Sequence, residues 1–138
     1  MKNEGKNFMK LKKAILCSSI MIGIFSCTSS FAASAGWSGI LPQNYGNMYT
    51  STVTKSTSNT KGSAVATSLP SNGVNVWVQT GKDSAALRAT NVASVTIKSV
   101  PYTLTYSGYY NSGRQVYGGV ENKGTGVLKY TAGTVDFK

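Results

Sequence analysis

Between residues 74 and 80 apolar and polar positions alternate without a break, with Val74, Val76 and Val78 on one side and Asn75, Trp77 and Gln79 on the other. An extended chain places successive side chains on opposite faces, so this period of two predicts a strand whose valines enter a core. The same alternation recurs in residues 49–55, where Tyr49 and Val53 flank Ser51 and an edge strand is expected, and in 92–100, where Val95 and Ile97 oppose Thr96 and Lys98. It recurs again where Tyr102, Leu104 and Tyr106 oppose Thr103, Thr105 and Ser107. Residues 63–69, 127–130 and 134–137 read as further short strands. Residues 114–120 read as the second arm of a hairpin with 102–107.

Turn chemistry falls between these runs. Pro70-Ser71-Asn72-Gly73 ends one strand, Gly81-Lys82-Asp83 another, Asn111-Ser112-Gly113 closes the expected hairpin, and residues 121–126 form a further turn whose glycines, like Gly118-Gly119, read as hairpin glycines. Residues 84–89 (SAALRA) hold the only helix-forming stretch, one turn capped by Ser84 or Asp83. Residues 37–46, rich in Gly, Pro and Asn, predict an irregular leading segment packed by Trp37, Ile40 and Leu41. Seven or eight short strands with Gly, Asn or Pro turns define an all-β domain, a small antiparallel β-sandwich, with a β-barrel as the alternative.

The amino terminus follows another pattern. Lys2, Lys6, Lys10, Lys12 and Lys13 precede a short apolar run through residues 14–25, which reads as a secretory signal peptide covering residues 1–32. The run is shorter than the ~20 residues a membrane-spanning helix requires. Small residues allow cleavage before Ala33, leaving 33–138 as one all-β domain, or before Gly36. Cys27, after Ile24-Phe25-Ser26, offers a lipid-anchored alternative to full secretion. Cys17 and Cys27 otherwise belong to the leader, and the mature chain then has no cysteine, no disulfide and no thiolate.

The chain of 138 residues carries a formal charge of +10 and no histidine. From Ala33 onward nine Lys and Arg face Asp83, Glu121 and Asp136, a net +6 scattered singly. No basic run marks a nucleic-acid groove. A positive surface instead suits encounter with the anionic cell envelope, whether lipid or wall polymer.

Missing residue types exclude much chemistry. Without histidine there is no imidazole base or ligand, and three carboxylates cannot build an ordinary calcium site. No catalytic residue, cofactor site or metal site is assigned; Glu121 with Asp136 is the one carboxylate pair that adjacent strands could join for sugar hydrolysis. The remaining constellation is aromatic: Tyr102, Tyr106, Tyr109, Tyr110 and Tyr117, with Arg114 among them. Tyrosines at this density stack on sugars, sit at lipid interfaces or pack across strands. These six are the candidate envelope or ligand contacts.

The basic leader, the Trp37-Ser38-Gly39 start, the cysteine-free Tyr/Ser/Thr/Gly body and the closing Gly126-Val127-Leu128-Lys129-Tyr130 segment resemble small exported bacteriocins of the lactococcin type and related secreted proteins of Gram-positive bacteria. That resemblance implies a compact β-sandwich that interferes with wall synthesis at a lipid-linked precursor, and it assigns no binding residue. The expected function is that of a secreted, non-enzymatic, bacteriocin-like antibacterial protein acting on the envelope. The alternative is an exported structural or binding module that binds carbohydrate or associates with itself through exposed strand edges.

Overall fold

A computed structural model describes residues 33–82, 86–108, 110, 112–126 and 128–138. The expected leader, Cys17, Cys27 and Tyr109 lie outside the described residues. The described part belongs to one compact unit, Phe31–Lys138. Its strands are β1 (Ser34–Leu41), β2 (Asn47–Tyr49), β3 (Val53–Thr54), β4 (Lys61–Ser68), β5 (Val74–Gln79), β6 (Ala93–Val95), β7 (Tyr102–Thr105), β8 (Gln115–Asn122) and β9 (Lys129–Asp136). They form a four-stranded sheet ordered β1-β9-β4-β7 and a five-stranded sheet ordered β2-β8-β5-β6, with β3 also on β8. All pairings are antiparallel, and neither sheet closes into a barrel. The described residues form an all-β sandwich.

The core lies between the sheets. Val74, Val76 and Val78 of β5, with Val95, Val116 and Val120, meet Ala35, Leu41, Ala64, Leu104, Val135 and Phe137 from the other layer, all buried. The valine face of β5 is therefore the core face expected from its alternation. Among the described residues no helix is long and apolar enough to cross a membrane.

Four local expectations are corrected. Residues 34–41 form a regular eight-residue strand, because Trp37 and Leu41 alternate inward with Ser38 and Ile40 outward. The expected hairpin does not form: β7 pairs with β4 in one sheet, while β8 lies between β2 and β5 in the other. Of the expected helical turn, residues 84–85 and the caps Asp83 and Ser84 lie outside the described residues, and residues 86–89 are not helical, with Arg88 bridged to Gln79 and the Ala89 N–H donating to Val78 O at 2.7 Å. Beyond Val95 the alternation ends as well: Ile97 is exposed and Ser99 takes a φ of 60°. The Thr96 and Ile97 N–H groups turn to the Tyr102 hydroxyl instead, at 3.2 and 3.0 Å.

Each sheet carries one tryptophan laid on a glycine. Trp37 is the cross-strand partner of Gly133 and Trp77 of Gly119. A Cβ at Gly133 would come within 2.4 Å of both the Trp37 ring and Val65 O; at Gly119 it would meet the Trp77 ring at 2.4 Å. Gly119 is a mid-strand residue, and its missing side chain is the space the indole fills. Trp37 faces the core and its indole N–H donates to Thr131 Oγ1 at 3.2 Å. Trp77 is buried on the opposite face of its own sheet, under the Arg88 guanidinium at 4.7 Å.

Gly133→Ala is expected to destabilise the protein by about 3 kcal/mol, since both indole and backbone must move. Urea unfolding of the variant beside the native chain measures it; an unchanged midpoint would show that the indole does not rest on Gly133.

Candidate functional site

β3 leaves β8 at Lys55, whose N–H donates to Arg114 O at 2.9 Å while its own carbonyl accepts from Gly113 N at 2.8 Å. Its side chain turns inward and is 1% exposed. The ammonium donates to Thr57 O and Asn59 O, each at 2.8 Å, and to the main-chain oxygen of Lys138, and it stands 4.7 Å from the Tyr106 ring centroid. Three main-chain oxygens and a ring face surround the charge, and among the described residues no Asp or Glu side chain pairs with it. Residues 56–60 thus wrap around the cation that precedes them.

Tyr106 is buried, donating its hydroxyl to Phe137 O at 3.1 Å. Its ring packs on Tyr110 at 5.3 Å and 37°, and the Arg114 guanidinium lies 5.4 Å from the Tyr110 centroid. The result is a stack running from the interior to the surface: Lys55, Tyr106, Tyr110, Arg114. Cations on ring faces at these distances are favourable, most of all where water is excluded. Beside the stack opens a pocket of about 180 Å³ lined by Ser58, Asn59, Thr60, Gly108 and Tyr110. Ser112 braces the wall, donating from its N–H to Ser58 Oγ and from its hydroxyl to Ser56 O, both at 3.1 Å.

Of the candidate contacts, the structure brings Tyr106, Tyr110 and Arg114 together. Tyr102 sits apart; hydrogen bonds from the Thr96 hydroxyl and from the Thr96 and Ile97 N–H groups hold its phenol below the usual range. Tyr117 lies on the outer face of the five-stranded sheet, with the Lys82 ammonium 5.5 Å from its ring. Glu121 and Asp136 belong to different sheets: Glu121 accepts from Asn75 Nδ2 at 2.8 Å and Asp136 pairs with Lys138 at 3.4 Å. No carboxylate pair forms between them. Among the described residues no three His, Cys, Asp or Glu gather into a group that could hold a metal.

The sequence reading missed Lys55, Ser58, Asn59, Thr60 and Gly108. One signal for Lys55 was present, because it continues the phase of Val53 at the end of an alternating run. A ligand volume of ~300 Å³ or more is usual for an enclosed small-molecule site. The pocket is smaller, so it suits one ring or terminal unit of a larger ligand. Comparison with known protein families, characterised proteins and solved structures finds no match.

The Lys55 pKa lies below its usual 10.5 because burial disfavours the ammonium. The cost of burying the cation is fully present below the folded pKa and fades as pH rises towards 10.5, so this group adds stability with rising pH across that window. Tyr106 has the opposite sign. Burial first, then Asp136 and Tyr110, raises its phenol above the usual 10.0, and its contribution is lost as pH climbs past that value. Lys55→Met should cost about 2 kcal/mol at neutral pH, the worth of hydrogen bonds to a charged group. The gap to the native chain should widen towards about pH 10. Urea midpoints across that range measure both, and a gap that narrows would contradict the assigned sign.

Proposed function

We propose that the protein is an exported, non-enzymatic, bacteriocin-like antibacterial protein that acts on the bacterial cell envelope by holding one unit of a wall polymer or its precursor. The observation that carries this reading is the pocket at the end of the cation and tyrosine stack. Ser58, Asn59, Thr60 and Gly108 line it together with Tyr110, and the Arg114 guanidinium lies 5.4 Å from the Tyr110 ring centroid. A largely apolar cleft beside an aromatic residue, edged by residues that carry hydroxyl and amide groups, suits the face of a sugar ring, and a guanidinium beside it suits a phosphate or carboxylate. The net +6 of residues 33–138 favours encounter with an anionic surface more than it adds grip. Insertion of a tyrosine hairpin into lipid has less support, because β7 and β8 lie in different sheets and Tyr106 is buried.

Purified residues 33–138 are expected to clear lawns of susceptible Gram-positive bacteria and to sediment with isolated cell walls. Tyr110→Ala and Arg114→Ser, folded as judged by unchanged thermal unfolding, should each weaken wall binding ~10-fold, as loss of a central contact does. Failure to clear any lawn or bind any wall, or variants that retain full binding, would overturn the reading.

A further inference from the structure

The four-stranded sheet ends in two edges of different character. At one, β7 has four residues, and Asn91 covers its end: Asn91 Oδ1 accepts from Thr105 N at 2.6 Å and Asn91 N donates to Thr105 O at 3.1 Å. Pro101 stands directly before it. At the other edge, β1 runs for eight residues, Ser34–Leu41, without a charge or a proline. Charges, prolines, short length and covering loops are how natural edges avoid further pairing. β1 uses none of these.

The direction of its free main-chain groups follows from the register. Ala33 O accepts from Phe137 N at 2.7 Å, and β1 continues in the same register, Ser34 opposite Asp136 through Leu41 opposite Lys129. In an antiparallel ladder alternate residues bond to the partner, so Ala35, Trp37, Gly39 and Leu41 point their main-chain groups at β9. Ser34, Gly36, Ser38 and Ile40 point theirs outward. All four are exposed, and among the described residues none has a hydrogen bond on that side.

We propose that this edge pairs with β1 of a second copy of the chain, antiparallel about a two-fold axis at Trp37. Ser34 then stands opposite Ile40 of the second copy and Gly36 opposite Ser38, so every outward residue meets an outward residue. That parity keeps each side chain on its own face of a sheet continued across both molecules. Gly36 and Ser38 are small where the strands meet, and no like charges are brought together. Ile40 and Tyr130, cross-strand partners that are 60% and 54% exposed, lie on the outer face beside the join. The two-fold consumes the edge, so the assembly closes at a dimer. The proposal is independent of what the pocket binds.

The test is sedimentation equilibrium of residues 33–138 over a concentration series, with amide hydrogen exchange read residue by residue. A monomer–dimer equilibrium is expected with Kd between about 1 µM and 1 mM, the range of a small polar interface. The Gly36, Ser38 and Ile40 N–H groups should gain protection with concentration, while those of Trp37, Gly39 and Leu41 are protected throughout. Ser38→Pro removes an N–H that the monomer does not use, and it should weaken association at least ~10-fold. Should that variant fail to fold, Ile40→Lys, which brings an exposed charge to the join, is expected to have the same effect. A native chain still monomeric at about 1 mM, open-ended polymers, or association undiminished in a folded variant would overturn the proposal.

Discussion

The enclosed ammonium of Lys55 is the constraint on which the loop end of the molecule depends. A cation removed from water is costly unless its donors are satisfied. Here they are satisfied by main-chain oxygens from residues 57, 59 and 138, widely separated in sequence. Holding that geometry fixes residues 56–60 as a collar, brings Lys138 against it and places Tyr106 beneath the charge. Tyr110 and Arg114 extend the same stack outward. One side of the pocket wall, Ser58, Asn59 and Thr60, thus stands on a loop tied down by the caged lysine, with Gly108 and Tyr110 distant from the loop in sequence. With no cysteine among the described residues, the loop is held in place by this buried charge instead of a disulfide.

The sheets depend on a different device. In each, an indole occupies the space above a glycine of the neighbouring strand, Trp37 over Gly133 and Trp77 over Gly119. Glycine weakens a strand by lacking a side chain to pack, and a cross-strand aromatic restores the lost contact. These pairs join β1 to β9 and β5 to β8, two of the longest ladders in the fold. They also separate the tryptophans by role, since Trp37 fills the core while Trp77 stiffens an outer face under Arg88.

Local alternation carried the fold class and the core. Val74, Val76 and Val78 announce a buried face whatever their partners are. Pairing was less legible, because alternation says which side faces inward and nothing about which strand lies beside it. The turn residues 111–113 suggested a hairpin, yet β7 and β8 cross between layers, β8 being drawn between β2 and β5. The Gly, Pro and Asn of residues 37–46 made β1 look irregular, and Gly118-Gly119 read as hairpin glycines. The second reading missed that Gly119 is the floor for Trp77, far away in sequence. The candidate site was legible in part: tyrosine density pointed to Tyr106, Tyr110 and Arg114, but the collar of Ser58, Asn59 and Thr60 owes its place to Lys55. Residue type alone argues for exposing a lysine, and only its phase with Val53 argued otherwise.

The central claim is that the collar and stack together form the binding surface. Backbone amide chemical shifts of isotope-labelled residues 33–138, followed during titration with solubilised cell-wall fragments, test it most directly. The account predicts saturable shifts concentrated at Ser58, Asn59, Thr60, Gly108, Tyr110 and Arg114. Shifts gathered instead around Trp77 and Tyr117, or none at the highest fragment concentration, would contradict it.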